Sequence, residues 1–331
     1  MSEHLTHLTL ADQFFRGQAA AGASGELSTI LNRVTLAGRM IANTVLRAGL
    51  QGHLGLTGEV NVQGEEVKQL DEISDDIFKE VFERTAVVAG IASEEREDAF
   101  FYPADKQTGK YVLLHDPLDG SGNVDVNGSM GTIFSIHRRK SMDAPSSLED
   151  FLRKGSEQVA AGYLLYGPAT LFVYSTGGSL QGFTLDRSVG AFFHTHPDMK
   201  IPEGTGAYSV NEANESKWDD KTKAMVEAFR TGQASCGKRS ARYVGALVAD
   251  FHRTLIQGGV YMYPGEVKKP NGKLRLLYEA APFAFLARAA GGLATDGKQD
   301  ILDVPATELH QRTPLFIGSK GDVEAVMSML N

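Results

Sequence analysis

Leu113-Leu114-His115-Asp116-Pro117-Leu118-Asp119-Gly120-Ser121-Gly122-Asn123-Val124-Asp125 is the stretch around which this chain is organised. An apolar strand, Tyr111 to Leu114, runs into two carboxylates separated by a proline and a leucine. Pro117 fixes φ, so the chain is expected to turn at once after Asp116. Asp116 and Asp119 then face one point, while the amides of Gly120 and Ser121 lie open toward an anion. Carboxylates and open amides in one turn suit a hard cation such as Mg²⁺ that is also held by a phosphate. A lone Asp-x-x-Asp is more often an Asx turn closing a surface loop, so its meaning depends on the rest of the chain.

Upstream, Ala86 to Ala92 is a short apolar run that reads as a strand buried on both faces, and it ends in Ser93-Glu94-Glu95. Before it, Val67, Leu70, Ile73, Ile77, Phe78 and Val81 mark an amphipathic helix that carries Asp71. A Gly-rich connector leads into that helix at Glu65-Glu66. A longer helix starts at Glu26, with Leu27, Ile30, Leu31, Val34, Ala37, Ile41 and Val45 at helical spacing, and Gly49 and Gly52 end it. Residues 1–25 read as weakly structured.

Downstream, strands are expected over 132–137, 159–166, 171–175 and 180–185, too closely spaced for crossover helices, hence a mixed or antiparallel sheet. Thr195 to Gly206, rich in Pro, Gly and polar residues, reads as a loop and domain boundary. Beyond it, helices over 219–230, 244–257 and 279–290 and from Asp322 alternate with strands over 260–263 and 315–318, an α/β pattern. Two domains are expected, 1–197 and 198–331.

The chain has 331 residues, 42% hydrophobic and 22% charged, enough for a sizeable core and ordinary for a globular protein. A formal charge of −8 argues against a nucleic-acid or anionic-membrane partner. Cys236, the single cysteine, excludes an intrachain disulfide and fits a reducing cytosol. No apolar run reaches the roughly 20 residues that span a bilayer, and Met1 to Gln13 lacks the order of a secretory signal. The expectation is a cytoplasmic protein.

Several motifs imitate sites and fail. Gly292 to Lys298 resembles a P-loop, but Gln299 stands where Ser or Thr should be. Asn123 to Phe134 resembles an EF-hand loop without its final Glu. Gly204-Thr-Gly206 lacks the rest of a dinucleotide fingerprint, and His194 and His196, near Asp198, are two exposed loop histidines of a kind that usually binds no metal. Ser121 and Cys236 have no base to activate them.

What persists is acids at successive strand ends: Glu94 and Glu95 after one, Asp116 and Asp119 after the next, with Asp71 on the preceding helix and Glu279 opening a late one. Like charges this close are costly without a cation. Two divalent ions about 4 Å apart would answer them and would clamp a phosphate in line with an attacking water.

Ser93-Glu94-Glu95 with Asp116-Pro-Leu-Asp119-Gly-Ser121 resembles the Mg²⁺-dependent, lithium-sensitive sugar and inositol phosphatase superfamily. Within it, Gly272-Lys273-Leu-Arg275-Leu-Leu-Tyr278-Glu279-Ala-Ala-Pro282 resembles the signature of class I fructose-1,6-bisphosphatase. Tyr208-Ser-Val-Asn211-Glu212, Ala241-Arg242-Tyr243-Val-Gly245, Met262-Tyr263-Pro264 and Leu309-His-Gln-Arg312 are similar to further motifs of that family, in order, from about residue 24 onward.

The resemblance implies a layered α-β-α-β-α fold of mixed α/β class, usually a homotetramer. It implies Glu94, Asp116, Asp119 and Glu279 as side-chain metal ligands, with the Leu118 carbonyl, Glu65 and Glu95 completing or bordering a Mg²⁺ cluster that Mn²⁺ or Zn²⁺ can also fill. Asp71 and Glu95 resemble the pair that orients and deprotonates water, and the amides of Gly120 and Ser121 would hold the phosphate being cleaved. Asn211, Tyr243, Tyr263 and Lys273 resemble the grip on the sugar and 6-phosphate, and Arg242 the arginine that reaches a neighbouring subunit's 6-phosphate. Ser24, Gly25, Glu26, Leu27 and Ser28, with Lys110, Tyr111 and Arg138, stand where family members contact the inhibitor AMP. The N-terminal domain would carry metal and AMP, the C-terminal domain the sugar phosphate.

Two positions depart from the family: Gly122 replaces a second serine, and Asn214 replaces a tyrosine near the 6-phosphate. The implied reaction is removal of the 1-phosphate of fructose 1,6-bisphosphate, in gluconeogenesis or the Calvin cycle. The alternatives are a broader bisphosphatase acting also on sedoheptulose 1,7-bisphosphate, an inositol or nucleotide phosphatase, and an inactive nucleotide sensor. The Lys273, Arg242 and Tyr263 grip argues against the second of these, and the intact acids against the third. A lone cysteine argues against a disulfide-switched plastid form.

Overall fold

The structure, a computed structural model, describes residues 8–14, 25–60, 66–83, 85, 87–103 and 109–330; Ser24 and Glu65 lie outside them. Helix α1 (Glu26–Gln51) buries Ile30, Leu31, Val34, Ala37 and Ile41 along the expected stripe. It stops at Gly52, whose left-handed φ of 74° lets its N–H close on the Ala48 carbonyl. The connector that follows holds a short antiparallel pair, β1 (Leu56–Val60) and β2 (Glu66–Lys68), so helix α2 (Gln69–Glu83) begins later than Val67.

The large sheet has the order β10-β9-β8-β7-β6-β5-β3-β4. Its strands are β3 (Gly90–Ser93), β4 (Phe100–Phe101), β5 (Tyr111–Asp119), β6 (Met130–Arg138), β7 (Gln158–Tyr166), β8 (Thr170–Ser175), β9 (Leu180–Asp186) and β10 (Ala191–Met199). β3 and β5 run parallel, and the other neighbours are antiparallel, as the short spacing required.

Two expectations are corrected. β5 does not turn at Pro117; it continues to Asp119 through a register shift between Asp116 and Asp119. The parallel pairing ends at Ser93 opposite His115, so no neighbour on that side asks Pro117 for an N–H. Second, β10 extends to Met199, into the first part of the stretch read as a loop, with irregularities on either side of His196. It is an edge strand, where Pro197 and bulges are tolerated.

The small sheet has the order β12-β11-β13-β17-β15. It comprises β11 (Ala207–Ser209), β12 (Ser240–Ala241), β13 (Gly259–Tyr263), β15 (Leu293–Thr295) and β17 (Leu315–Gly318), while β14 (Leu274–Arg275) pairs with β16 (Arg312–Thr313). The remaining helices are α3 (Asp220–Thr231), α4 (Leu247–Gln257), α5 (Ala281–Ala289) and α6 (Lys320–Leu330). The helix expected from Glu279 starts instead with a π-turn, Leu276–Ala280.

Five layers result. α1 and α2 cover one face of the large sheet through Ile30, Val34 and Phe78 against Phe134 and Phe172. α4 and α5 fill the space between the sheets, with Phe251 and Phe283 against Ile133, Tyr163 and Ile317. α3 and α6 cover the outer face of the small sheet through Met225, Phe229 and Val326. Each such side chain contributes roughly 1.5–3 kcal/mol of transfer free energy, so the middle helices weld the sheets together. Gly131 permits the tight seat of α4, because a Cβ there would lie 2.2 Å from the Leu164 carbonyl oxygen and 2.8 Å from Val248.

Candidate active site

The acids converge where β3 and β5 end beneath the start of α4. Ligand oxygens of Asp116, Asp119 and Glu279 all lie within 4.8 Å of one another, and all three residues are buried. A backbone amide sets the direction of each: Leu118 N donates to Asp116 Oδ1 at 3.0 Å, Val248 N to Asp119 Oδ2 at 2.6 Å, and Arg275 N to Glu279 Oε2 at 2.6 Å. The π-turn places Glu279 there, a local distortion of the kind that often marks functional sites. Glu94 joins the cluster but is ion-paired with Arg275, whose guanidinium also lies 3.9 Å from Glu279.

Asp71, on α2, accepts from the Lys68 amide at 3.1 Å. Burial, and then the charge of Glu95, push its carboxyl from 3.8 up to about 7, while Lys68 and the Ser121 hydroxyl pull the other way. Asp71, Glu95 and Ser121 therefore share one corner of the site. Burial followed by Glu279 raises Asp119 to about 7. Glu94 and Asp116 are raised well above the carboxylate range, chiefly by burial.

These acids outnumber the cations beside them, and their donors are all oxygen. Such a set fits a hard divalent cation. The sign of the linkage follows. Folding without metal raises Asp71 and Asp119 from 3.8 to about 7, so metal-free stability falls as pH rises from about 4 to about 7, where the folded chain binds more protons than the unfolded one. A cation must displace those protons, and its stabilising effect should grow over the same window. Thermal melts with and without Mg²⁺ at pH 5.5 and 8 check this. An equal Mg²⁺-induced rise at both values would refute it.

Gly120 joins the acids to the other half of the site. Its φ is 80°, and a Cβ there would come within 2.3 Å of the Ala246 side chain. Ser121–Val126 follows as a 3-10 turn, closed by Asn123 N on the Gly120 carbonyl at 2.8 Å. Asn211 caps a second 3-10 turn by accepting from Ala213 N at 3.2 Å. Arg242 is exposed, and its Nη1 donates to the Ala241 carbonyl at 2.7 Å. Tyr243 is half-open, and Tyr263 and Lys273 are part-buried. The buried Tyr261 hydroxyl is raised by burial and then by Tyr243, Asp250, Asp119 and Tyr263, so the two tyrosines of the expected grip meet near one buried point beside the acids.

The expected AMP contacts also come together. Lys110 Nζ lies 2.9 Å from Glu26 Oε1 at the start of α1, and Tyr111 pairs with Arg138 across β5 and β6. Gly25 has φ 80° and gives α1 no side-chain cap. His194 and His196, read as loop residues, lie on β10, where they bond to Gln181 and Thr195.

Sequence reasoning missed two features. It quoted Arg275 in a motif without seeing it as the cation between Glu94 and Glu279. It gave no role to Asp125, which accepts from Lys68 Nζ at 2.6 Å and from Gly55 N at 3.1 Å and so ties β2 and the start of β1 to the Ser121 turn. A cavity of about 530 Å³ opens elsewhere, beside Asp219, Glu266 and Lys298, and none of the clustered acids lines it.

The sequence profile described as fructose-1-6-bisphosphatase, N-terminal domain, matches residues 8–197, and its C-terminal counterpart matches residues 201–331. The chain belongs to the fructose-1,6-bisphosphatase family. It is similar to the class 1 fructose-1,6-bisphosphatase of Nitratidesulfovibrio vulgaris, 52% identical over 312 residues that make up 92% of each chain. It is 49% identical to the class 1 enzyme of Trichodesmium erythraeum over 306 residues, 92% of this chain and 85% of the relative. The fold matches fructose-1,6-bisphosphatase of Leishmania major in its holo form, with a TM-score of 0.92 at 36% identity over 98% of this chain and 99% of that one. The layered sugar-phosphatase fold is thus common to both. Among the described residues of this family member, no helix is long and apolar enough to cross a membrane.

Proposed function

We propose that the chain hydrolyses the 1-phosphate ester of D-fructose 1,6-bisphosphate, giving fructose 6-phosphate and inorganic phosphate. The observation that carries this reading is the buried meeting of Asp116, Asp119 and Glu279 beside Asp71, Glu94 and Glu95, in a chain matched along its length by the family. Asp116, Asp119, Glu279 and Glu94, with the Leu118 carbonyl, would hold Mg²⁺, or Mn²⁺ or Zn²⁺ in its place; Glu65, the further acid expected there, lies outside the described residues. The chemistry a bound divalent cation supplies is neutralisation of phosphate charge and a lowered pKa for water.

The protein's own groups do the rest. Asp71 and Glu95 orient the attacking water and accept its proton, a role suited to a carboxyl held near neutrality. The amides of Gly120 and Ser121 receive the phosphate oxygens. Asn211, Tyr243, Tyr263 and Lys273, with Arg242 from a neighbouring subunit of a homotetramer, hold the 6-phosphate and sugar. That end does not react, so its binding energy positions the end that does. Residues up to 197 would form the metal-binding unit and residues from 198 the sugar-phosphate unit.

The reading extends to AMP as an inhibitor at Gly25–Ser28, Lys110, Tyr111 and Arg138, to a place in gluconeogenesis, and to a cytoplasmic location. A net charge of −8 argues against a nucleic-acid or anionic-membrane partner. The test is phosphate release from fructose 1,6-bisphosphate with Mg²⁺ and with a chelator. One phosphate per sugar, released only with metal, is the expected result; no release from folded, Mg²⁺-supplied protein would overturn it.

A further inference from the structure

Asp250 is fully buried, yet it lies outside the acid cluster. It is the fourth residue of α4, and its carboxylate turns back past the helix start into the preceding loop. Val244 N donates to both its oxygens at 3.1 Å, and Gly245 N to Oδ2 at 3.0 Å. Ser209 Oγ donates at 2.8 Å and Arg253 Nη2 at 2.7 Å. The same Arg253 nitrogen also donates to the Arg242 carbonyl at 3.0 Å. These donors fill the acceptor sites of one carboxylate.

Capping its own helix does not explain this arrangement. The first amides of α4 are already served by Asp119, which accepts from Val248 N and influences Leu247 N. Apart from Arg253, which lies on α4 itself, the donors to Asp250 come from outside the helix: from the loop that carries Arg242 and Tyr243, and from Ser209, two residues before Asn211. The loop backbone is thus tied down from beneath, and Gly245 completes it with φ 87°. Arg242 and Tyr243 stay exposed above it, and the Arg242 guanidinium donates to a backbone carbonyl, that of Ala241. A rigid backbone under open side chains is what a preorganised binding loop requires.

We infer that Asp250 is the positioning residue of the 6-phosphate grip, holding the Arg242–Tyr243 loop and the strand leading to Asn211 in binding geometry through Val244, Gly245, Ser209 and Arg253. This rests on the proposed function. Asp119 then holds an amide of the first turn of α4 for the reacting phosphate, and Asp250, within that turn, holds the loop before it for the anchoring phosphate.

The test is Asp250→Asn. It keeps the shape but turns an amide donor toward at least one of these donors. KM for fructose 1,6-bisphosphate should rise about tenfold and kcat change by less than about threefold, and slow hydrolysis of fructose 1-phosphate, which lacks the anchoring group, should keep its kcat/KM. If Asp250→Asn does not fold, Arg253→Gln, at a partly exposed residue, should show the same split at about threefold. Equal losses on both substrates would assign Asp250 a merely structural role and overturn the inference, as would unchanged KM. Wild-type protein inactive on the bisphosphate would instead refute the proposed function.

Discussion

Glu95→Gln is expected to lower kcat on fructose 1,6-bisphosphate about a thousandfold while KM stays within about threefold. The substitution keeps the size of the side chain and removes one charge. The grip on the anchoring phosphate, carried by other elements, is untouched, so binding should persist. What is lost is half of the pair that takes the proton of water. A second signature accompanies the first. The charge of Glu95 is among the causes that raise Asp71 to about 7, and removing a negative neighbour lowers a carboxyl's pKa. The acid limb of the residual pH–rate profile should therefore move to lower pH. Steady-state kinetics from pH 5.5 to 9 measure both effects, and turnover equal to the parent's would remove Glu95 from the proton-transfer role.

Gly120→Ala is expected to abolish measurable phosphate release and to destabilise the fold by about 2–4 kcal/mol. Two costs coincide there. An alanine at φ 80° is strained, and its Cβ would stand 2.3 Å from the Ala246 side chain. Relief requires α4 to back away from β5, which stretches the bond from Val248 N to Asp119 and displaces a member of the acid cluster. Gly122→Ala is the control: a Cβ at Gly122 meets nothing within 4 Å, and its φ is not left-handed. Denaturant melts should separate the two variants clearly. Equal stability would mean that the contact between Gly120 and Ala246 does not hold α4 in place. The open space at Gly122 also means that no packing constraint excludes the serine usual in this family.

Legibility in the sequence followed locality. α1 could be read because its stripe and its closing glycine are local signals, and Glu94, Glu95, Asp116 and Asp119 could be read because they sit at the ends of apolar strands. Pro117 misled because its consequence depends on whether a neighbouring strand needs its N–H, and β3 ends before that question arises. β10 was hidden by its bulges and by Pro197, which an edge strand tolerates. The π-turn at Glu279 has no periodicity of its own, so an apolar run through it reads as plain helix. The pairing of Arg275 with Glu94 and the reach of Asp250 into the loop before its helix are products of tertiary packing, and no spacing rule signals them.

The division of the acids between the two halves of the chain has a consequence for synthesis. Asp71, Glu94, Asp116 and Asp119 leave the ribosome well before Arg275 and Glu279. At roughly 5–20 residues per second, the early half waits many seconds without the arginine that pairs with Glu94, without the last acid of the triad, and without the helix start whose amide holds Asp119. A nascent chain at that stage has no finished cation site to fill. Capture of a divalent cation by these acids would then come late, after Arg275 and Glu279 have emerged and folded onto the first half.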